Sequence, residues 1–163
     1  MISLKNKTIL ITGSNGFLGS HLVKILKKQY KNKIKLITPN SKEYDLTNPK
    51  NIQRLFLKYK KIDFVVHLAS AHGGLYYNIN NPATIYYKNI LMNTHLMHLR
   101  RISGVKNMLW AGTVDAYPKK IRLPWKEKDF WDGYPEPTSS AYAFSKKMMI
   151  VQGEACLLYT SPS

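Results

Sequence analysis

Tyr142 and Lys146 stand four residues apart in SSAYAFSKKM, a spacing that brings both side chains to one face of a helix. A tyrosine phenol ordinarily titrates near ~10, and an ammonium held beside it favours the phenolate. Such a pair is a candidate acid/base near neutral pH. Thr113, in AGTVDAYP, offers a hydroxyl able to hydrogen-bond a substrate oxygen as that oxygen is oxidised or protonated. A Tyr-x-x-x-Lys pair alone carries little information; together with a hydroxyl at a strand end and a glycine-rich βα turn it points to proton transfer coupled to a bound dinucleotide.

The turn lies in ILITGSNGFLGSHL, residues 9–22. A β-branched run, Thr8 to Ile11, enters three glycines, Gly13, Gly16 and Gly19, and leaves as a helix with Leu18, Leu22, Ile25 and Leu26 on one side. Gly13 permits the sharp turn, Gly16 allows backbone to approach a ligand, and Gly19 lets the helix pack closely on the strand. The helix N-terminus then offers free N–H groups and a positive dipole end to a pyrophosphate. The spacing is Gly-x-x-Gly-x-x-Gly, which by itself is also compatible with a plain βα turn.

The remaining elements are those a doubly wound α/β domain needs. Lys33 to Thr38 reads as a second strand, followed by a helix over 51–61 with Ile52, Leu55, Phe56 and Tyr59 on its apolar side. Asp63 to Leu68 reads as a third, fully buried strand ending in small residues, which leave room for cofactor and substrate. Within it His67 is expected as a hydrogen-bonded core residue, while His72 beyond the strand could reach substrate. Pro82 opens a helix to Ile102 whose buried-face candidates are Ile85, Tyr86, Asn89, Ile90, Asn93, Leu96 and Met97. Val105 to Gly112 is the fourth strand, and right-handed crossovers suggest the order 3-2-1-4. A long loop from Lys119 to Ser140 precedes the Tyr142 helix, whose N-cap candidates are Thr138, Ser139 and Ser140.

After the second strand come Pro39, Asn40, Ser41 and Lys42, with no early acid to take the 2′-hydroxyl of NAD, so cofactor choice leans to NADP over NAD. Asp45 could accept from an adenine amino group or cap the helix beginning near Asn48-Pro49. No His/Cys/Asp/Glu grouping has the spacing of a metal site. The chain has 163 residues and 44% hydrophobic content, enough for one core. Its single cysteine, Cys156, rules out an internal disulfide framework and suits the cytoplasm. It shows neither a secretory leader nor a run long enough to span a membrane. The formal charge of +16 falls in short lysine groups at helix ends and loops, a solvated surface needing no nucleic-acid partner.

In TGSNGFLG, EYDLTN, HLASAHGGLYYNINNPA, AGTVDAYP and EPTSSAYAFSKKM, taken in order, the chain resembles the extended short-chain dehydrogenase/reductase family in its NAD(P)-dependent epimerase/dehydratase branch. Within that branch it is most similar to the enzymes that epimerise and reduce GDP-4-keto-6-deoxymannose. The resemblance implies a Rossmann-type doubly wound parallel sheet, incomplete at the C-terminus, and hydride transfer to or from a nucleotide sugar, GDP-linked. It implies that Gly13, Ser14, Asn15, Gly16, Phe17, Leu18 and Gly19 bind pyrophosphate, with Asp45 and Leu46 at the adenine. Leu68, Ala69 and Ser70 would line the cofactor, Lys146 would hold its nicotinamide ribose and tune Tyr142, and Thr113 would be the catalytic hydroxyl. Where the GDP-sugar enzymes place a proton-handling cysteine, and related dehydratases a glutamate, this chain has Asp115, preceded by Val114. Asp115 is thus either an acid/base on the carbon next to the keto group or a solvated loop aspartate.

Family members carry two further strands and a smaller substrate domain, and work as homodimers. Residues 1–155 therefore read as a truncated NAD(P)-binding Rossmann domain. Residues 156–163 leave the helical pattern and read as a non-native tail, native sequence being expected to end near Ala155 of a protein about twice as long. Apolar sheet and helix faces should be exposed in such a piece. The reading from another class is a non-catalytic NAD(P)-binding module or inactive fragment.

Overall fold

A computed structural model describes residues 3–158 of the chain. Its internal contacts divide it into two compact units, one running to Ala69 and including His95–Ala111, the other made of Ser70–Thr94 and the chain from Gly112 onward.

The first unit is built on a parallel four-stranded sheet of β1 (Thr8–Thr12), β2 (Lys35–Ile37), β3 (Phe64–His67) and β4 (Asn107–Trp110). Its helices are α1 (Phe17–Tyr30), α2 (Pro49–Lys58) and the end of α4 (Pro82–Ile102). The sheet order is β2-β1-β3-β4, with Leu10 opposite both Ile37 and Val65, and Val65 opposite Met108. The expected order 3-2-1-4 is therefore corrected: the third strand joins the far side of β1 and leaves β2 at the edge. A three-residue strand flanked and headed by lysine, Lys33 and Lys35, suits an edge, whereas β1, with all five residues buried, takes a central place. β3 is not fully buried as expected. Its residues alternate, Val65 and His67 inward and Phe64 and Val66 half-exposed, because α1 leaves part of that sheet face open. A hollow of about 490 Å³ remains there, lined among others by Leu22, Leu26, Phe64, Val66 and Leu109.

In α1 the buried stripe is Leu22, Val23, Leu26 and Tyr30, packed on Ile9 and Ile11, while Leu18 and Ile25 are exposed, contrary to expectation. The cause is Gly19. It must face the turn, and at about 100° per residue that orientation carries Val23, Leu26 and Tyr30 inward and swings Leu18 and Ile25 out. α2 begins where Asn48 accepts from the Lys50 N–H with Pro49 next, a strong start signal, and buries Ile52, Leu55 and Phe56. His67 is fully buried, its Nδ1 2.6 Å from Thr12 Oγ1, as a core histidine should be.

The second unit holds α3 (Leu75–Asn80), the first part of α4, α5 (Ser140–Leu158), and 3-10 turns at Val114–Ala116, Glu127–Trp131 and Pro137–Ser139. The sequence does not announce α3, a six-residue helix. α4 has the expected bounds, but Tyr86 is exposed; the buried face is Ile85, Asn89, Asn93, Leu96 and Met97. Asn93 Nδ2 donates to the Ser145 carbonyl and Gln152 Nε2 to that of Thr94, tying α4 to α5. Ser139 and Ser140 do not cap α5 by accepting from it; their hydroxyls donate back to the carbonyls of Glu136 and Pro137, because a 3-10 turn runs straight into the helix. Residues 156–158 continue α5, with Cys156 buried, so the helical pattern does not end at Ala155. Residues 159–163 of the expected tail lie outside the described residues.

Candidate active site

In the first unit the glycine turn is shaped by contact with its own backbone. Gly13 has φ +68, and a Cβ there would meet the Ala69 nitrogen and Leu68 carbon at 2.6 Å. A Cβ at Gly19 would collide with the Gly13 carbonyl, so this glycine is required by the turn rather than by the strand. Gly16 is the N-cap residue of α1, and no side chain caps that helix. The first N–H groups of α1 therefore have no internal partner, and the Ser14 hydroxyl beside them is buried without one. An orphaned hydroxyl next to an uncapped helix N-terminus fits a phosphate acceptor. Asn15, Gly16, Phe17 and Leu18 are exposed around it.

Leu68 and Ala69 lie directly against this turn: Leu68 N–H donates to the Thr12 carbonyl and Ala69 N–H to Thr12 Oγ1. Asp45 is not the cap of α2, which is Asn48. Its Oδ1 instead accepts from the Thr47 N–H and hydroxyl at 2.9 and 2.8 Å, leaving the carboxylate exposed, and Leu46 beside it is buried.

The second unit gathers Ser70, His72, Asn78, Asn89, Tyr142 and Lys146. The Tyr142 hydroxyl lies 3.4 Å from Ser70 Oγ, which lies 3.1 Å from Asn89 Oδ1. The polarity of this line follows from Asn89, whose Nδ2 donates to the carbonyls of Ala71 and Ile85 at 2.7 and 2.8 Å. Its Oδ1 must then accept, and does so from Ala71 N–H at 2.9 Å and from Ser70. Ser70 has one hydrogen, so in the resting state Tyr142 donates to Ser70 and Ser70 to Asn89. Turned round, the same serine hydroxyl can donate to a Tyr142 phenolate.

Lys146 is 3% exposed, and its Nζ lies 5.7 Å from the centre of the Tyr142 ring, on the same face of α5. Burial lowers its pKa to about 8, so the ammonium still predominates at neutral pH. Thr113 Oγ1 donates to Asp115 Oδ2 at 3.1 Å and accepts from Asp115 N–H at 3.2 Å. The two side chains form one unit, and Asp115 is half-buried rather than free in solvent.

From the sequence alone Asn89 reads only as a buried-face residue of α4. An amide on the apolar face of a long helix is the signal that could have marked it, since a buried amide needs several partners. Among the described residues no group of His, Cys, Asp and Glu lies close enough to hold a metal ion, and no helix is long and apolar enough to cross a membrane.

A glycine-rich βα turn on a parallel sheet, with a tyrosine–lysine pair on a later helix, places the chain in the doubly wound α/β class. The model of the NAD dependent epimerase/dehydratase family matches residues 9–156, and the chain belongs to that family. It is 34% identical over 139 residues to a GDP-L-colitose synthase of Yersinia pseudotuberculosis, covering 85% of this chain and 44% of that protein. It is 30% identical over 149 residues to a probable GDP-L-fucose synthase of Drosophila melanogaster, covering 91% and 46%. The structure of a GDP-L-fucose synthetase of Naegleria fowleri bound to NADP superposes with a TM-score of 0.87 at 29% identity, covering 98% of this chain and 47% of that one. The chain thus spans less than half the length of these relatives.

Proposed function

We propose that this chain carries the dinucleotide-binding and acid/base residues of an NADP-dependent epimerase or reductase acting on a GDP-linked sugar. The observation that carries the reading is the line from Tyr142 through Ser70 to Asn89, with Lys146 buried beside the Tyr142 ring. A module that only binds a dinucleotide has no chemical need for a phenol hydrogen-bonded in this way. The names of the Yersinia and Drosophila relatives support the GDP-sugar substrate, and the NADP of the Naegleria structure supports the cofactor.

In this reading Gly13 to Gly19 and Ser14 Oγ hold the diphosphate, Asp45 and Leu46 meet the adenine, and Leu68, Ala69 and Ser70 line the dinucleotide. Lys146 holds its nicotinamide ribose. When bound there, the nicotinamide would supply the hydride to a sugar carbon or accept one from it. The Thr113 hydroxyl turns from Asp115 to donate to the oxygen on that carbon, and Tyr142 gives or takes that oxygen's proton. When Tyr142 is a phenolate, the Ser70 hydroxyl turns from Asn89 to donate to it, and the Lys146 ammonium lowers its energy further. When the reaction is an epimerisation, Asp115 takes a proton from the carbon next to the keto group, and a proton from solvent is returned to the opposite face of that carbon.

The test follows NADPH oxidation by the purified protein on addition of GDP-4-keto-6-deoxymannose. Turnover that falls at least ~10²-fold in Tyr142→Phe supports the reading. Dinucleotide binding that survives this substitution, with no turnover of any GDP sugar by the native protein, would establish a binding module instead.

A further inference from the structure

We infer that His72 is a substrate-binding residue, presenting a fixed Nε2–H donor to a sugar oxygen beside Tyr142. The inference rests on the proposed function and adds a contact to it. His72 lies after β3 and is exposed, yet its ring packs against the Tyr142 ring, with centroids 4.6 Å apart and planes tilted by 36°.

Its hydrogen is placed by the residue behind it. Asn78, 8% exposed on α3, uses Oδ1 to accept from the Gly73 N–H at 3.2 Å. A backbone N–H can only donate, so the orientation of the Asn78 amide is decided, and its Nδ2 faces His72 Nδ1 at 3.3 Å. An amide nitrogen can only donate, so Nδ1 accepts, and the hydrogen of the neutral ring is on Nε2. One nitrogen of His72 is thereby held by the protein, and the other is left as a donor pointing away from its support. Among the described residues Nε2 has no protein partner. A ring locked in one tautomer, packed against the acid/base tyrosine and offering an unused donor, is an arrangement for orienting a ligand oxygen next to the reacting one.

Two variants separate this role from packing. His72→Phe keeps the ring contact with Tyr142 and removes the donor, whereas His72→Gln loses the ring contact and keeps a donor. With GDP-4-keto-6-deoxymannose and NADPH as probes, kcat/KM should fall about tenfold or more in His72→Phe and be largely retained in His72→Gln. The reverse ranking, or no change in either, would overturn the inference while leaving the proposed function standing. Independently, long-range nitrogen–proton NMR of the native protein should show the hydrogen of His72 on Nε2, and a hydrogen on Nδ1 overturns the inference. If the native protein turns over no GDP sugar, the proposed function fails. His72 is then decided by the same NMR signal under saturating GDP-mannose and NADP: a shifted Nε2–H supports it, and an unmoved one refutes it.

Discussion

Lys146 carries a charge where little water remains to solvate it. Burial lowers its pKa from 10.5 to about 8, so in acidic and neutral solution the folded state bears the whole cost of keeping the ammonium out of water. Between about 8 and 10.5 the unfolded chain holds a proton that the folded one has released, and stability rises with pH across that window. Lys146→Met should therefore raise Tm at pH ~7, with the gain shrinking toward pH ~10, while abolishing turnover. A Tm that falls in the variant would show that the ammonium makes compensating contacts. In the proposed function this cost is borne for an ammonium held beside Tyr142, the trade expected where function needs a charge in a buried place.

The elements are joined to one another at a few points, and the turn Glu127–Trp131 is joined to α5 by a second lysine. Lys147 follows Lys146 in sequence but leaves the helix on another side. It is 1% exposed, donates to the Phe130 carbonyl at 2.7 Å, and has its Nζ 4.9 Å from the ring centres of both Phe130 and Trp131. Burial lowers its pKa, and the carbonyl and the aromatic faces stand in for lost water. Phe130 in turn forms a T-shaped pair with Tyr117, which stacks on Trp125, so the clasp reaches the segment just after Asp115. Lys147→Met should speed backbone hydrogen exchange in residues 127–131 by at least ~10-fold while leaving the first turn of α5 protected. Equal exchange in native and variant protein would mean that the aromatic cluster alone holds the turn.

For the whole molecule, one carboxylate links the starts of two strands to acid stability. Asp63 Oδ2 accepts from the Thr8 N–H at 2.8 Å, and Oδ1 pairs with Lys7 Nζ at 3.2 Å, joining the head of β1 to that of β3. The Thr8 N–H, and then Lys7, hold its pKa below 3.8. A depressed carboxylate stabilises the fold above its unfolded pKa, and that contribution is lost as pH falls through the folded value. Asp63→Asn should thus lower stability by about 1 kcal/mol at neutral pH, as measured by denaturant unfolding, with native and variant converging at pH below ~3. A constant difference down to that acidity would remove the carboxylate's charge from the account.

By itself the sequence determined the parts whose information is local. The Thr8–Gly19 turn needs Gly13 at positive φ and Gly19 without a side chain, and both needs are visible as residue types at fixed spacing. Asn48-Pro49 marks the start of α2, Pro82 that of α4, and the Tyr142–Lys146 spacing the shared face of α5, because a helix relates neighbours three and four apart. The family itself was legible for the same reason, its motifs being short and ordered. Tertiary structure alone decided which strand lies beside β1, since periodicity says that a segment is a strand but not which neighbour it pairs with. It also decided which way α1 is rotated, that Asn89 and Ser70 stand behind the Tyr142 hydroxyl, and that Asn78 sets the hydrogen of His72. Those contacts join residues up to 72 positions apart, and a hydrogen bond over such a separation leaves no trace in local spacing.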